Sequence, residues 1–382
     1  MSGRVYLDHA ASSPLDPEVA DAMAKAAPDA AGNPSSLHLE GRRARALLDD
    51  ARARVARVLG ARPREIVFTS GGTEALGLGL RGAAGARRGP GSRLVVTAVE
   101  YPAVLETADA LVSEGFEVAR VAPRPDGTVS ADDVDRAAGP GTLLAAVMGA
   151  NHETGALLPV AEVAARLRPR GVLVLCDGAL LPGYADLRAL AAAVDLLALS
   201  AHKFGGPKGI GALFVRRGVR LAPQQRGGPQ EEQLRGGTEN VLGAVGLACA
   251  LEKVDRERAA RTEAVAARAA RLLAALEAVA GVTLVGPRTG RHPAIVSVEA
   301  EGCEGEALLI HLDLAGIAAS TGSACAIGAA QPSPVLLAMG LSRRRAASTI
   351  RFSLGSSTTD DEIERVGSLY STSVGRLRAL AR

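Results

Sequence analysis

The chain of 382 residues contains no tryptophan, and only 2% of its residues are aromatic. A surface that stacks the bases of a nucleic acid needs such side chains. A net charge of +3 gives no strong attraction for nucleic acid or for an acidic membrane surface. No apolar run is long enough to span a bilayer, and no charged-then-apolar signal segment opens the chain. We therefore expect neither a nucleic-acid partner nor a membrane.

Cysteine is scarce as well. The four cysteines show neither CxxC spacing nor the density of a disulfide-rich domain. We therefore expect no metal site and a reducing, cytoplasmic location. The length of 382 residues suits two domains, or one large domain and a smaller one.

Lysine is much rarer than arginine. The 44 basic residues are four lysines and therefore forty arginines. Lys203 follows an apolar run, Val194 to Leu199, that predicts a buried strand. A lysine amine held near apolar walls loses its charge readily, and a neutral amine can form a Schiff base. For this segment taken alone, a solvated loop lysine is the alternative.

Two other predicted strand ends carry matching chemistry. Asp177 follows the apolar run from Gly171 to Cys176, and a carboxylate there would pair with the ring nitrogen of pyridoxal phosphate. The segment from Thr69 to Glu74 joins a short strand to a helix, where backbone N–H groups and the helix dipole favour a phosphate. Together these strand ends offer a phosphate cradle, a ring-nitrogen partner and an amine, which predicts a pyridoxal 5'-phosphate site.

The order of elements predicts the fold class, α/β. Between Glu65 and Phe214 apolar strands alternate with helices, which indicates a mostly parallel sheet covered on both faces. Ligands of such sheets bind at the carboxyl ends of the strands. A long helix is predicted from Leu39 to Leu59, ended by Gly60. Beyond Gly281 short strands mix with helices, so we predict a large domain at 14–257 and a small α+β domain at 258–382, joined by the N-terminal segment 1–13.

A second group of residues lies in the predicted small domain. Cys325 stands among glycines and serines, which predicts an exposed and mobile thiol that can serve as a nucleophile. A buried packing cysteine is the alternative, and it is our interpretation of Cys176 and Cys249. Arg351 stands inside an apolar strand and needs an anionic partner. That partner is either a structural carboxylate or the carboxylate of an amino-acid substrate.

Motifs from one end of the chain to the other resemble those of the cysteine desulfurases, of the NifS and IscS kind, within the class V aminotransferase-like enzymes. They include YLDHAASSPLDP, GNPSSLH, FTSGGTEA, MGANHETG, SAHKFGGPKGIGALFV, RGGTEN, STGSACA and IRFSLG. The resemblance implies the pyridoxal-phosphate-dependent transferase fold type I and a homodimer. It also implies conversion of L-cysteine to L-alanine, with the sulfur left as a persulfide for an acceptor protein or biosynthetic enzyme.

The resemblance also implies roles for individual residues. Lys203 would hold the cofactor covalently, Asp177 would pair with its ring nitrogen, and Asn151 would approach its ring oxygen. The phosphate ligands would be Gly72, Thr73, Ser200 and His202, joined by Thr238 from a partner subunit. Arg351 with Asn33 would hold the substrate carboxylate, and Cys325 would carry the persulfide.

Four positions depart from the family pattern. Tyr101 replaces a histidine that stacks over the cofactor ring, and Leu180 replaces a glutamine that donates to the ring oxygen. His152 replaces an asparagine, and Pro334 replaces a histidine. Tyrosine is a poor proton shuttle at neutral pH because its pKa is about 10. We therefore predict that Tyr101 and His152 are catalytic residues, with His152 taking part of the proton transfer; the alternative is that His152 only packs.

Three functions are compatible with these residues. The first is a cysteine desulfurase. The second keeps pyridoxal phosphate but changes the reaction, as in a lyase, a selenocysteine lyase or another enzyme acting on amino acids. The third is a non-catalytic dimeric paralogue, against which the presence of both Lys203 and Asp177 argues.

Overall fold

The computed structural model describes residues 3–89, 91–321 and 332–380. In this part of the chain the strands are β1 (Val5–Tyr6), β2 (Ile66–Thr69), β3 (Arg93–Thr97), β4 (Glu117–Val121), β5 (Thr142–Met148), β6 (Leu173–Asp177), β7 (Leu196–Ser200), β8 (Gly211–Val215), β9 (Val282–Leu284), β10 (Ile295–Ala300), β11 (Ile317–Ala318) and β12 (Thr349–Ser353). The helices are α1 (Pro17–Ala26), α2 (Leu39–Leu59), α3 (Gly72–Arg87), α4 (Pro102–Ser113), α5 (Ala131–Ala137), α6 (Val160–Leu167), α7 (Leu187–Ala193), α8 (Val241–Arg256), α9 (Arg258–Glu277), α10 (Gly305–Leu314), α11 (Pro334–Ala338), α12 (Arg343–Ala347) and α13 (Asp360–Leu380).

A seven-stranded sheet forms the centre of the larger part of the molecule. Its strand order is β2–β8–β7–β6–β5–β3–β4. The neighbours from β7 to β4 are parallel, whereas β8 is antiparallel to both β7 and β2. The carboxyl ends of β2, β3, β5, β6 and β7 therefore lie along one edge of the sheet. This mostly parallel sheet, flanked by helices, confirms the predicted fold class.

The burial of the strands follows from helices covering both faces of the sheet. Every residue of β7 and β8 is buried, which is why these strands are continuous apolar runs without alternating polar residues. The helix α2 ends where it was predicted to end. Gly60 follows it with φ 64°, a left-handed conformation that glycine adopts without steric cost.

The C-terminal part of the chain contains a second sheet. Strands β12, β10 and β9 are antiparallel neighbours in that order. The N-terminal segment joins this part of the molecule, because β1 pairs in parallel with β11. The His9 N–H donates to the Ser353 carbonyl, and the Ala10 N–H donates to the Ser353 hydroxyl. The first residues of the chain are thus packed beside some of its last.

Three apolar clusters accompany this division in the described part of the chain, two beside the central sheet and one beside the second sheet. The core of the second sheet contains residues of β10, β12, α9 and α13 together with Val5 and Leu7. Val335, Leu336 and Met339 instead pack with the core of the central sheet, although they lie beyond residue 258. The boundaries 14–257 and 258–382 remain a prediction.

Two elements, the helix α7 and the strand β9, were not predicted. The residues between Asn240 and Gly281 predict one helical region, whereas the structure has two helices there, α8 and α9. The turn between those two helices is at Glu257, which has φ −89° and ψ −2°. The apolar runs Gly171 to Cys176 and Val194 to Leu199 lie within two residues of the observed strands β6 and β7.

Candidate active site

A cavity of about 750 Å³ opens at the carboxyl ends of the central strands. Most of the site residues predicted from the sequence line it. These are Gly72, Thr73, Tyr101, His152, Asp177, Ser200, His202, Lys203 and Arg351. Strand ends of the central sheet and strand β12 of the second sheet therefore contribute to a single cavity.

Lys203 lies in a short turn, Ala201–Lys203, that follows β7 directly. Its Nζ donates to the carbonyl oxygens of Ala10 at 2.7 Å and Ala11 at 2.9 Å. The Ser13 hydroxyl in turn donates to the Lys203 carbonyl at 3.0 Å. The N-terminal segment thus covers the amine with backbone acceptors, which keep it in the cavity.

Asp177 is the last residue of β6, and its register partners are Met148 on β5 and Ala198 on β7. Its Oδ1 accepts the Ala179 N–H at 2.9 Å. Burial raises the pKa of this carboxyl, and the Ala179 N–H and the charge of Lys203 counteract the rise. The Lys203 ammonium in the same cavity favours the ionised form of this buried carboxyl. The carboxylate is therefore suited to pair with a further protonated nitrogen, in addition to the lysine.

The N-terminus of α3 faces the end of β7. Gly71 precedes the helix and offers no side-chain cap to its first N–H groups, which leaves them available to an anion. A Cβ on Gly72 would stand 3.1 Å from the Ser200 Cβ, so the two segments approach closely. His202 is nearby, with Nδ1 3.2 Å from the Ser12 hydroxyl. Burial, helped by Lys203 and Lys208, lowers the pKa of His202 to about 4, so its imidazole is neutral at pH 7.

Arg351 is almost fully buried on β12. Its Nη2 donates to Asp8 Oδ1 at 2.8 Å, and its Nη1 donates to the His152 carbonyl at 2.7 Å. Its Nε has no hydrogen-bond partner among the described residues. A guanidinium has five N–H donors, so Arg351 retains donors for a further anion.

Tyr101 and His152 are in contact at one wall of the cavity. Their ring centroids are 5.3 Å apart with an interplanar angle of 74°, an edge-to-face arrangement. Burial, together with the charges of Arg351 and Lys203, lowers the pKa of His152 to about 3. The ring of His152 is therefore neutral at pH 7.

Two buried carboxyls line the same cavity and were missed in the sequence. Burial raises the pKa of Glu100 to about 8 and the pKa of Glu153 to about 7. The Glu100 Oε1 accepts the Met148 N–H at 2.7 Å and the Thr97 hydroxyl at 2.8 Å. The feature that could have drawn attention to Glu100 is its position directly after Val99, which is buried.

Four predicted site residues are not brought to the cavity by the described chain. Asn33 is exposed, and its Oδ1 accepts the Ser35 N–H at 2.9 Å. Asn151 is fully buried, with its Nδ2 donating to the Val99 carbonyl at 3.0 Å. Thr238 is exposed in a loop outside the cavity, and Cys325 lies outside the described residues. The roles of all four remain predictions.

Residues 3–89, 91–321 and 332–380 contain neither a membrane-spanning helix nor a metal-binding cluster. No helix in these ranges has the length and apolar character needed to cross a membrane. No cluster of histidine, cysteine and carboxylate side chains there has the geometry of a metal site.

With this geometry in view, the comparison with known proteins defines the class. The family model described as aminotransferase class-V matches residues 5–366. The chain belongs to this family. Within the family it is similar to the cysteine desulfurase IscS of Dictyoglomus turgidum, with 37% identity over 100% of this chain and 97% of that protein.

Solved structures agree with this assignment. A structure described as a NifS-like protein superposes with a TM-score of 0.89 at 32% identity, and the alignment covers 99% of each chain. A structure of SspA in complex with cysteine has a TM-score of 0.82 at 32% identity, covering 93% of this chain and 100% of that chain.

Enzymes of this family depend on pyridoxal phosphate, and the cavity fits that cofactor. It contains a lysine amine, a buried carboxylate and an uncapped helix N-terminus, at the ends of β7, β6 and β2. Gly72 leaves open the space that a Cβ would fill. The Nε of Arg351 is an additional buried donor without a described partner, as expected of a group that binds an anionic ligand.

Proposed function

We propose that the protein is a pyridoxal-phosphate-dependent cysteine desulfurase. It converts L-cysteine to L-alanine and leaves the sulfur as a persulfide on Cys325 for transfer to an acceptor. The observation that carries this proposal is that the Lys203 amine, the Asp177 carboxylate and the Arg351 guanidinium line one cavity. The name of the relative from Dictyoglomus turgidum and the cysteine complex of SspA support the substrate.

The residues that would hold the cofactor come from three strand ends. Lys203 would bind it covalently, and Asp177 would keep its ring nitrogen protonated. The α3 N-terminus, with Thr73, Ser200 and His202, would bind its phosphate. When bound, the cofactor supplies an electron sink for the bonds at the substrate α-carbon.

Arg351 would bind the substrate carboxylate with the donors that Asp8 and the His152 carbonyl leave available. A planar guanidinium can bind two carboxylates on different sides because its donors point outward in a fixed fork. Binding in this way would hold the substrate in the cavity that Lys203 also lines. Asn33 remains the predicted second carboxylate ligand.

The sulfur transfer balances without an external oxidant or reductant. The Cys325 thiol loses its proton, and the thiolate attacks the substrate sulfur. A sulfur–sulfur bond forms and the carbon–sulfur bond breaks. The electron pair of the broken bond stays with carbon, which takes up a proton. L-cysteine and a protein thiol thereby give L-alanine and a protein persulfide.

A homodimer in the cytoplasm is part of the proposal. Thr238 is exposed and outside the cavity of its own chain, which suits a residue that completes the site of a partner subunit. Leu37, in the same loop as Asn33, is 90% exposed, which suits a surface covered by a second copy. The free thiols of Cys176, Cys249 and Cys303 suit a reducing compartment.

A second candidate keeps the cofactor and changes the reaction. It is favoured by Leu180, which lines the cavity where the family has a hydrogen-bond donor, and by Tyr101 at the ring face. Under this alternative the enzyme is a lyase or transforms another amino acid. A non-catalytic paralogue, the third function compatible with the sequence, is not supported, because relatives aligned over 99–100% of this chain are named cysteine desulfurases.

The test is alanine formation from L-cysteine, with added pyridoxal phosphate and a thiol reductant. We expect alanine from the wild type and none from Cys325→Ala. Lys203→Ala should lose both the alanine and the visible absorbance, whereas Lys25→Ala, at an exposed position of α1, should keep both. A wild type that shows the absorbance but makes no alanine would contradict the proposal and favour the second candidate.

A further inference from the structure

His152 and Glu153 form a buried pair at the wall of the cavity. The His152 Nε2 is 3.7 Å from the Glu153 Oε1, and the two side chains are 15% and 4% exposed. Both residues line the cavity. The backbone fixes the pair, because the Glu153 N–H donates to Asn151 Oδ1 at 3.0 Å and the His152 carbonyl accepts from Arg351.

Both side chains have a buried polar atom that is not used. The His152 Nδ1 and the Glu153 Oε2 have no hydrogen-bond partner within the described part of the chain. Leaving such an atom buried and unpaired costs about 1–3 kcal/mol. Two unpaired polar atoms on adjacent residues beside a cavity indicate that these side chains have a role other than packing.

Burial places the proton of the pair on the carboxyl. Burial raises the pKa of Glu153 to about 7, against the opposing effects of the Ser333 hydroxyl and Arg351. Burial and then Arg351 and Lys203 lower the pKa of His152 to about 3. Near pH 7 the imidazole is therefore neutral, and the nearby carboxyl is close to half protonated.

The groups that face the pair make it responsive to the substrate. They are Arg351 from β12, Lys203 from the end of β7, Tyr101 at the start of α4 and Ser333 at the start of α11. Asp8 acts through its ion pair with Arg351. A substrate carboxylate on Arg351 would offset the positive charge that lowers both proton affinities, so the pair would hold its proton more tightly while the substrate is bound.

We propose that Glu153 is a positioning residue that stores one proton for His152, and that the pair exchanges this proton with the substrate. The proton passes from the Glu153 carboxyl to the His152 imidazole, leaving Glu153 as a carboxylate. The imidazolium gives its proton to the carbon that loses sulfur. Ionisation of the Cys325 thiol releases one proton, which balances in the overall reaction the proton that the pair gives up. This role rests on the proposed function, and it supplies the proton transfer that Tyr101 performs poorly.

A titration of the imidazole tests the shared proton without any turnover. The holoenzyme is labelled with ¹³C at the histidine ε1 carbons, and the His152 resonance is identified by its loss in His152→Asn. We expect this resonance to shift with a midpoint near neutral pH as Glu153 ionises. The step should disappear in Glu153→Gln and persist with a changed midpoint in Glu153→Asp. An identical step in Glu153→Gln, or no step between about pH 5 and 9, overturns the proposal.

The kinetic test asks whether Glu153 acts through His152. We expect Glu153→Gln to lower kcat/KM for alanine formation by about tenfold and to remove an ionisation from its pH profile. In the His152→Asn background the same substitution should change kcat/KM by less than about twofold. Glu162→Gln, at an exposed position of α6, is the control and should have no effect.

Equal losses from Glu153→Gln in both backgrounds would show a purely structural role and overturn the proposal. A wild type that makes no alanine refutes the proposed function instead. The histidine titration then still decides whether the pair shares a proton, so the two failures are distinguishable.

Discussion

The Asp8 carboxylate is bound to the Arg351 guanidinium at 2.8 Å, where the arginine side chain is only 2% exposed. The two residues are 343 positions apart in the sequence. Asp8 compensates the charge of an arginine that would otherwise be buried without a counter-ion. It also fixes the plane of the guanidinium, so that the remaining donors have a defined direction.

Arg351→Lys should therefore retain the charge but lose the geometry. A lysine ammonium cannot bridge Asp8, the His152 carbonyl and a substrate carboxylate in one plane. We expect the KM for L-cysteine to rise about tenfold or more, with a smaller change in kcat. Steady-state alanine formation measures both. Arg343→Lys, at an exposed position of α12, is the control, and an unchanged KM in Arg351→Lys would contradict the assignment.

Glu100 should make the stability of the protein depend on pH. Burial raises its pKa to about 8, so between about pH 4.5 and 8 the folded chain holds a proton that the unfolded chain releases. Stability from this group is thus lost as the pH rises toward 8. We expect the wild type to lose about 2 kcal/mol more than Glu100→Gln in free energy of unfolding between pH 6 and 8.

Urea unfolding at the two pH values measures this difference. Glu106→Gln, at an exposed position of α4, should behave like the wild type. If Glu100→Gln loses as much stability as the wild type, the carboxyl is ionised in the folded protein and the prediction is wrong.

Glu231 anchors the loop that carries Thr238. It forms a bidentate ion pair with Arg52 at 2.6 and 2.7 Å and also accepts the Phe68 N–H. Its side chain is 1% exposed. It lies in a turn whose residues Glu231, Glu232 and Gln233 all have positive φ values, a conformation that costs about 1 kcal/mol or more for each residue.

We expect Glu231→Gln to lower the free energy of unfolding by about 3 kcal/mol, because it leaves the Arg52 charge without its counter-ion. Chemical denaturation at constant pH measures the change. The adjacent Glu232 is 58% exposed, so Glu232→Gln should change stability by less than about 0.5 kcal/mol. Equal effects of the two substitutions would show that the buried ion pair is not what holds the turn.

Tyr101→His tests whether the tyrosine at this position of the cavity limits the reaction. A histidine there can exchange protons near neutral pH, so we expect alanine formation to rise about tenfold. Tyr101→Phe keeps the aromatic packing without a titrating group, and it should give no increase. If Tyr101→His gives no increase either, proton transfer at this position does not limit turnover.

The residues that could be predicted from the sequence share one property, namely their position at the end of an apolar strand or inside one. Lys203, Asp177 and the Gly72 segment follow strands, and the carboxyl ends of parallel strands meet at one edge of a sheet. Arg351 was recognisable because a charge inside a strand of the second sheet needs a partner. The sequence left open whether that partner was a protein carboxylate or a substrate.

The residues that were missed depend on contacts between distant parts of the chain. Nothing in the sequence near Asp8 indicates Arg351, and the burial of Glu100 and Glu153 arises from elements that converge only in the folded molecule. The strand β9 and the helix α7 have three and seven residues. Such lengths are too short for a hydrophobic period to be recognised.

The contact between the N-terminal segment and β12 has a consequence for biosynthesis. A ribosome makes Asp8 and Ala10 before Arg351 and Ser353, and 343 positions separate the members of each contacting pair. The central sheet can fold during synthesis, because domains fold as units while the chain emerges. The cavity, however, lacks the Arg351 guanidinium until β12 has been made. A nascent chain stalled before β12 therefore contains Lys203 without the arginine that lines the same cavity.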